Sequence, residues 1–198
     1  PGDPGATTDS LTLTYTGGWH ILHLSWHNDG GYLGLVNDSV QFVKDGEPQA
    51  QGGNIDQLAY RHHWSWNAPD TTVTHIELGG NSTLDIDGLD TEEATIDGTH
   101  DFAARVKVVL PDSTIDWHFS VESRLSGFTV DKTPVGWAQS CPSAGQWQAT
   151  IVSTFQKDDN TPVELTWTCH ATLQNGEINV VVECDSYRWT YERDACTP

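Results

Sequence analysis

Apolar and polar residues alternate along most of this chain with a period of two. Leu11-Thr12-Leu13-Thr14-Tyr15 opens the pattern, and Trp19 to His27 continues it with both faces mixed. Further β-rich runs are Val40 to Val43, Leu58 to Trp66, Thr71 to Leu78, Phe102 to Leu110, Thr114 to Glu122, Trp147 to Phe155, Val163 to Leu173, Ile178 to Glu183 and Tyr187 to Tyr191. Successive side chains of an extended strand point to opposite faces, so each run reads as a strand with one face toward a core. Clusters of Gly, Pro, Asn and Asp punctuate the runs at short intervals, as in a sandwich or barrel. Pro111-Asp112-Ser113 and Gln174-Asn175-Gly176 read as hairpin turns, the second carrying an Asn-Gly pair suited to type I′. No long amphipathic helix is present, and Gly98 to Val106 leaves room for one short helical turn. The expected fold is all-β, an antiparallel β-sandwich with long irregular loops.

At 198 residues, without an internal repeat or a Pro/Ser-rich tether, the chain reads as a single β domain spanning residues 1–198. Twenty-eight acidic against 9 basic residues give a formal charge of -19. That surface repels nucleic acid and anionic lipid, which excludes both as partners, and it attracts cations diffusely. No segment approaches the ~20 apolar residues of a spanning helix, so membrane insertion is not expected. Pro1 to Gly5 has neither a basic nor an apolar leader character and reads as a mature or trimmed amino terminus.

All four cysteines, Cys141, Cys169, Cys184 and Cys196, lie in the last third, without C-x-x-C spacing. Their even number, two sequons at Asn37 and Asn81 and the scarcity of Lys favour an oxidising compartment, hence secretion or the cell surface. Three pairings are open. A Cys169–Cys184 bridge across the hairpin that turns at Asn175-Gly176, leaving Cys141 with Cys196, is the preferred one.

The densest chemistry lies in Tyr60-Arg61-His62-His63-Trp64-Ser65-Trp66. Strand phase puts His62, Trp64 and Trp66 on one face and His63 on the other. In Thr114 to Val121, the residues Ile115, Trp117, Phe119 and Val121 form an apolar face. Asp116, His118 and Ser120 therefore share the opposite one, where Asp116 can orient the His118 imidazole. Met is absent and the cysteines are expected to be oxidised, so a late-metal site must be built from imidazoles, which suit copper or zinc, with affinity favouring copper. Each histidine taken alone fits a hydrogen-bonded structural role better than a ligand's. Asp85-Ile86-Asp87-Gly88-Leu89-Asp90-Thr91-Glu92-Glu93 gathers oxygen ligands for calcium but lacks the full EF-hand spacing. There is no G-x-S-x-G, and no acid pair marks a glycosidase, so catalysis is not expected.

With His62-His63-Trp64-Ser65-Trp66, Trp117-His118 and its acidic, Met-free β character, the chain resembles the copper-repressible surface proteins of methanotrophs, the CorA type with its relative, the secreted MopE fragment. The resemblance implies an extracellular protein holding one Cu(I) through two histidines and a tryptophan oxidised to kynurenine, with water available as a fourth ligand. Carried onto this sequence, it makes Trp64 the candidate kynurenine, His62 its same-face partner and His118 the ligand from another strand. The family motif W-x-H is not matched, because Trp66 stands two residues after Trp64 and the local order is reversed. His63, Trp66, His75 and His100 accordingly stay open as alternates.

The leading expectation is a non-enzymatic copper-binding protein for copper acquisition, associated with the outer surface. The alternative is a carbohydrate-binding β-sandwich that uses its nine Trp as stacking platforms and a structural calcium. Trp64 buried beside His62 would speak for metal, Trp19, Trp137 or Trp189 aligned on an open face would speak for sugar, and a structural surface protein with no small ligand would show neither. Oligomeric state is not legible.

Overall fold

A computed structural model of the chain describes residues 6–28, 30–68, 74–137 and 140–194. Twelve strands make up nearly all of it: β1 (Ala6–Thr16), β2 (Trp19–Asn28), β3 (Leu33–Lys44), β4 (Glu47–Gln49), β5 (Gln57–Asn67), β6 (Thr74–Asp87), β7 (Glu93–Leu110), β8 (Ser113–Asp131), β9 (Pro142–Lys157), β10 (Val163–Gln174), β11 (Glu177–Cys184) and β12 (Tyr187–Asp194). The all-β, antiparallel character is as expected. The arrangement is one open sheet, not the two sheets of a sandwich. It is a meander in the order β1-β2-β3-β5-β6-β7-β8-β9-β10-β11-β12, with β4 paired to β3 beside it.

The connections explain the difference. Tight hairpins join most neighbours, and a two-residue turn can only return the chain alongside the strand it has just left. At Asn175 and Gly176 the φ angles of 54° and 81° are those the Asn-Gly type I′ turn requires. Long irregular loops are correspondingly few. Gly98 to Val106, where a helical turn was expected, runs as strand within β7, and Asp85 to Asp87 closes β6 instead of belonging to a loop. Of the expected Thr71 to Leu78 strand, residues 71–73 lie outside the described residues.

Directly opposed residues share a face, so the register fixes the chemistry of each side across the whole sheet. One transverse row reads Leu11, Leu24, Val36, Trp64, Gly80, Phe102, Val121, Ile151, Trp167, Cys184, Tyr187. On the reverse side a row reads Thr12, His23, Asn37, His63, Asn81, Asp101, Glu122, Thr150, Thr168, Glu183, Arg188. The sheet therefore has an apolar and a polar face. The most deeply covered residues, Ala94, Ala104, Ala149, Cys169 and Leu173, all belong to the apolar one. Accessible area is 12413 Å², against roughly 9,000 Å² for a compact chain of this length, so much apolar surface remains uncovered.

The expected Cys169–Cys184 bridge does not form. Cys169 lies opposite Val182 and Cys184 opposite Trp167, which makes the two cysteines diagonal neighbours and leaves both as free thiols. A diagonal pair stands about 7–8 Å apart, beyond the reach of an unstrained disulfide. The expected partner of Cys141, Cys196, lies outside the described residues.

Candidate functional site

A single polar row crosses the apolar face next to the Trp64 row. It runs Asp38, His62, Ser82, His100, Ser123, one residue from each of β3, β5, β6, β7 and β8. The His62 Nδ1–H donates to Asp38 Oδ1 at 2.5 Å, and the Tyr60 hydroxyl donates to the same oxygen at 2.7 Å. The Tyr60 and His62 rings lie 6.3 Å apart and nearly parallel, at 13°. Burial pushes the Asp38 carboxyl up, but the Tyr60 and His62 hydrogen bonds outweigh it and hold the group below its ordinary range. The same bond to Asp38, aided by burial, pushes the Tyr60 phenol up to about 12.

Two strands away, His100 Nδ1 is hydrogen-bonded to Ser82 Oγ at 2.7 Å, and Ser123 Oγ donates to the His100 carbonyl at 3.4 Å. Both imidazoles thus have Nδ1 engaged by the protein. An imidazole anchored in this way presents Nε2 to a ligand with its ring orientation fixed. A shallow depression of about 420 Å³, bordered by Tyr60, Ser82, Leu84, His100, Leu125 and Trp147, adjoins the row.

Trp64 follows His62 by two residues on the same face, ~7 Å along the strand. Its indole stacks on Phe102 at 5.9 Å and 25°. The indole needs the space over Gly80, where a Cβ would come within 3.2 Å of Trp64 Nε1 and 2.5 Å of the Asp101 carbonyl. A third imidazole, His20, lies on this face between Tyr15 and Phe42, at 4.7 and 5.6 Å, and its Nε2 is buried without a hydrogen-bond partner. Cys169 stands in the same transverse row as His62, and burial pushes its thiol up, which keeps it protonated and a weak ligand.

His62 and Trp64 are thus brought together, and His118 is not among them. His118 lies three strands away on the polar face, as the phase of its strand predicts. Its Nε2 is 2.9 Å from Asp116 Oδ1, and Asp116 also receives Arg105 Nη2 at 2.9 Å. Arg105 holds the Asp116 carboxyl below its ordinary value against the opposing effect of burial. Of the alternates, His63 and His75 lie on the polar face, His63 donating to Asn81 Oδ1 at 2.7 Å and His75 lying 3.2 Å from Glu77. Trp66 stacks with Tyr32 at 5.4 Å. Of the alternate histidines, only His100 joins His62 on the apolar side, where Trp66 also lies.

The acidic stretch from the end of β6 onward is engaged by cations of the chain itself. Arg61 pairs with Asp85 at 2.8 Å, and Lys44 with Asp90 at 2.6 Å. Among the described residues, no group of three or more His, Cys, Asp or Glu converges on one point.

Comparison with protein-family models, with curated proteins and with solved structures finds no match to the chain. The site rests on its own geometry. Sequence reasoning passed over Asp38, Ser82 and His100 as a group because they come from three strands. For His100 a signal existed: His100, Phe102, Ala104 and Val106 alternate with Asp101, Ala103, Arg105 and Lys107.

Proposed function

We propose that this chain is an extracellular copper-binding protein that holds one Cu(I) on its apolar face through His62 and His100, beside Trp64. The observation that carries the reading is the polar row itself: His62 and His100 stand in one row across the apolar face, each fixed at Nδ1, with Ser82 between them. Soft monovalent copper is suited to a small imidazole set in an apolar setting, because few ligands satisfy it. Trp64, the candidate kynurenine under the resemblance, is on the same face and adjacent to His62, so an aromatic amine formed there would add the further ligand. His118 becomes a structural residue of the Arg105–Asp116 network. The function is binding, in the service of copper acquisition at the cell surface, not turnover.

The carbohydrate reading needs tryptophans on a common platform. Trp19 lies on the polar face with the Arg61 guanidinium 5.8 Å from its ring, and Trp137 lies next to Lys132 at 5.5 Å. Trp189 is at the far edge of the apolar face. These three do not form one platform, but register puts Trp26, Trp64, Trp66, Trp117, Trp147, Trp167 and Trp189 on the apolar face, so tryptophan placement is common to the metal and sugar readings.

Competition titration with a Cu(I)-specific chromophoric chelator tests it. The wild type should take up one equivalent, His62→Ala and His100→Ala should each bind at least about tenfold more weakly, and His118→Ala should match the wild type. Loss of binding in His118→Ala with full retention in the other two would overturn the site. A wild type that takes up no Cu(I) would overturn the function. Peptide mass mapping of protein from its natural source shows whether Trp64 is oxidised.

A further inference from the structure

We infer that the free edge of β12 is a homodimerisation strand, at which two copies of this chain join antiparallel across a two-fold axis through Thr190. Among the described residues β12 pairs with β11 and with no other strand, so its outer backbone groups form an open template. The β11–β12 hairpin closes on the Cys184–Tyr187 pair around a two-residue turn, which directs the backbone of Tyr187, Trp189 and Tyr191 toward β11. Arg188, Thr190 and Glu192 consequently turn their N–H and C=O groups outward.

The sequence of this edge is self-complementary. Set antiparallel to a second copy with Thr190 opposite Thr190, the strand places Arg188 opposite Glu192 and Trp189 opposite Tyr191, and each pairing occurs twice by symmetry. The residues so opposed through hydrogen bonds are the outward-facing ones, so the register that matches the charges also matches the backbone donors and acceptors. Trp189 and Tyr191 then fall in non-hydrogen-bonded positions, where side chains approach most closely. On each chain Arg188 already lies 3.5 Å from Glu183 and Asn179 donates to Glu192 at 2.9 Å, so the partner extends a polar ladder that exists in the monomer.

The aromatic side supplies the driving force. Tyr187, Trp189 and Tyr191 are 67%, 54% and 58% exposed, and Tyr187 and Trp189 stack at 5.9 Å. A two-fold axis normal to the sheet keeps the apolar faces of the two copies on the same side, which makes this strip continuous across the junction. The opposite edge lacks these properties. β1 exposes Leu11 and Leu13, but Asp9 is its one charged residue and the strand is bulged there, between Thr8 and Ser10.

The test is analytical ultracentrifugation of the apo full-length chain over a concentration series. The wild type should show a monomer–dimer equilibrium. Arg188→Glu and Glu192→Arg should each weaken it at least about tenfold, because each opposes like charges, and an equimolar mixture of the two variants should recover dimer as a heterodimer. Thr190→Pro, which removes an outward N–H at an edge position that tolerates proline in the monomer, should be monomeric with unchanged far-ultraviolet circular dichroism. A monomeric wild type overturns the proposal, and so does a dimer that survives both charge variants or Thr190→Pro. Copper is absent throughout, so the outcome is independent of the metal reading.

Discussion

Replacing Tyr60 by Phe removes one hydroxyl and nothing else from the polar row, which makes it the sharpest probe of how His62 is held. The ring stays, so its parallel contact with the His62 imidazole is retained and no cavity opens. What is lost is a 2.7 Å hydrogen bond from a phenol to an ionised carboxylate. Bonds to charged groups contribute about 1.5–3 kcal/mol when well shielded. Displacement of the phenol from 10.0 to about 12 corresponds to at most ~2.7 kcal/mol, and solvent screening of this partly exposed pair lowers that to about 1 kcal/mol. The sign in pH follows from the raised phenol. Its contribution is complete below pH 10, the unfolded value, and is lost as pH rises toward about 12. Urea unfolding should therefore show Tyr60→Phe about 1 kcal/mol less stable at neutral pH, with the gap to wild type closing between pH 10 and 12. Ultraviolet titration of the wild type should retain one un-ionised phenol at pH 11 that the variant lacks. A variant within ~0.5 kcal/mol of wild type at neutral pH, the usual range of surface changes, together with an unaltered phenolate titration, would refute the claim that Tyr60 and His62 share Asp38.

Gly34→Ala should destabilise the protein by about 1–3 kcal/mol, read by thermal or urea unfolding, since a Cβ there would lie 2.1 Å from the Trp26 indole; an unchanged midpoint would mean that the indole does not cover Gly34. Asp116→Asn should flatten the acid limb of the stability curve. The Asp116 carboxyl is held below its unfolded value of 3.8, so it contributes stability above that value and loses it as pH falls through the depressed one. For this exposed pair the effect at neutral pH is about 0.5–1 kcal/mol, and parallel wild-type and variant acid limbs would count against it.

The faces of this sheet were legible in the sequence wherever alternation was clean. His62, Trp64 and Trp66 on one side, and Asp116, His118 and Ser120 on one side, follow from a period of two. How far β6 extends was not legible, because Gly79-Gly80-Asn81-Ser82 has the composition of a turn. The glycines serve another purpose: Gly80 lies beneath the Trp64 indole, so a strand position is kept empty to seat a large ring from its neighbour. The number of sheets was not legible either. Alternation says that a strand has one apolar face, and it is silent on what covers that face. The association of His62 with His118 failed for the same reason, since phase assigns faces within a strand and only register relates one strand to the next.

Placing Asp38, His62, Ser82, His100 and Ser123 on the apolar side costs less than the ~1–3 kcal/mol of a fully shielded, unpaired polar group, because Asp38 and His62 are 29% and 26% exposed and His100 is exposed. The row avoids much of that cost by pairing along itself, Asp38 with His62 and Tyr60, Ser82 with His100, and Ser123 with the His100 backbone. Pairing of this kind explains why the row is tolerated but not why it holds histidines. The polar face shows the comparison: there His23 donates to Asn37 at 2.6 Å and His63 to Asn81 at 2.7 Å, and Asn81 in turn donates to Asp101 at 2.9 Å. On the solvent side the imidazoles are links in an amide ladder whose polar ends meet water. On the apolar side His62 and His100 are engaged at Nδ1 in the same way, by Asp38 and Ser82, and what differs is the neighbouring rows, which are apolar. The copper proposal at His62 and His100 therefore rests on their apolar surroundings and on Trp64 beside them, not on a difference in how the rings are held.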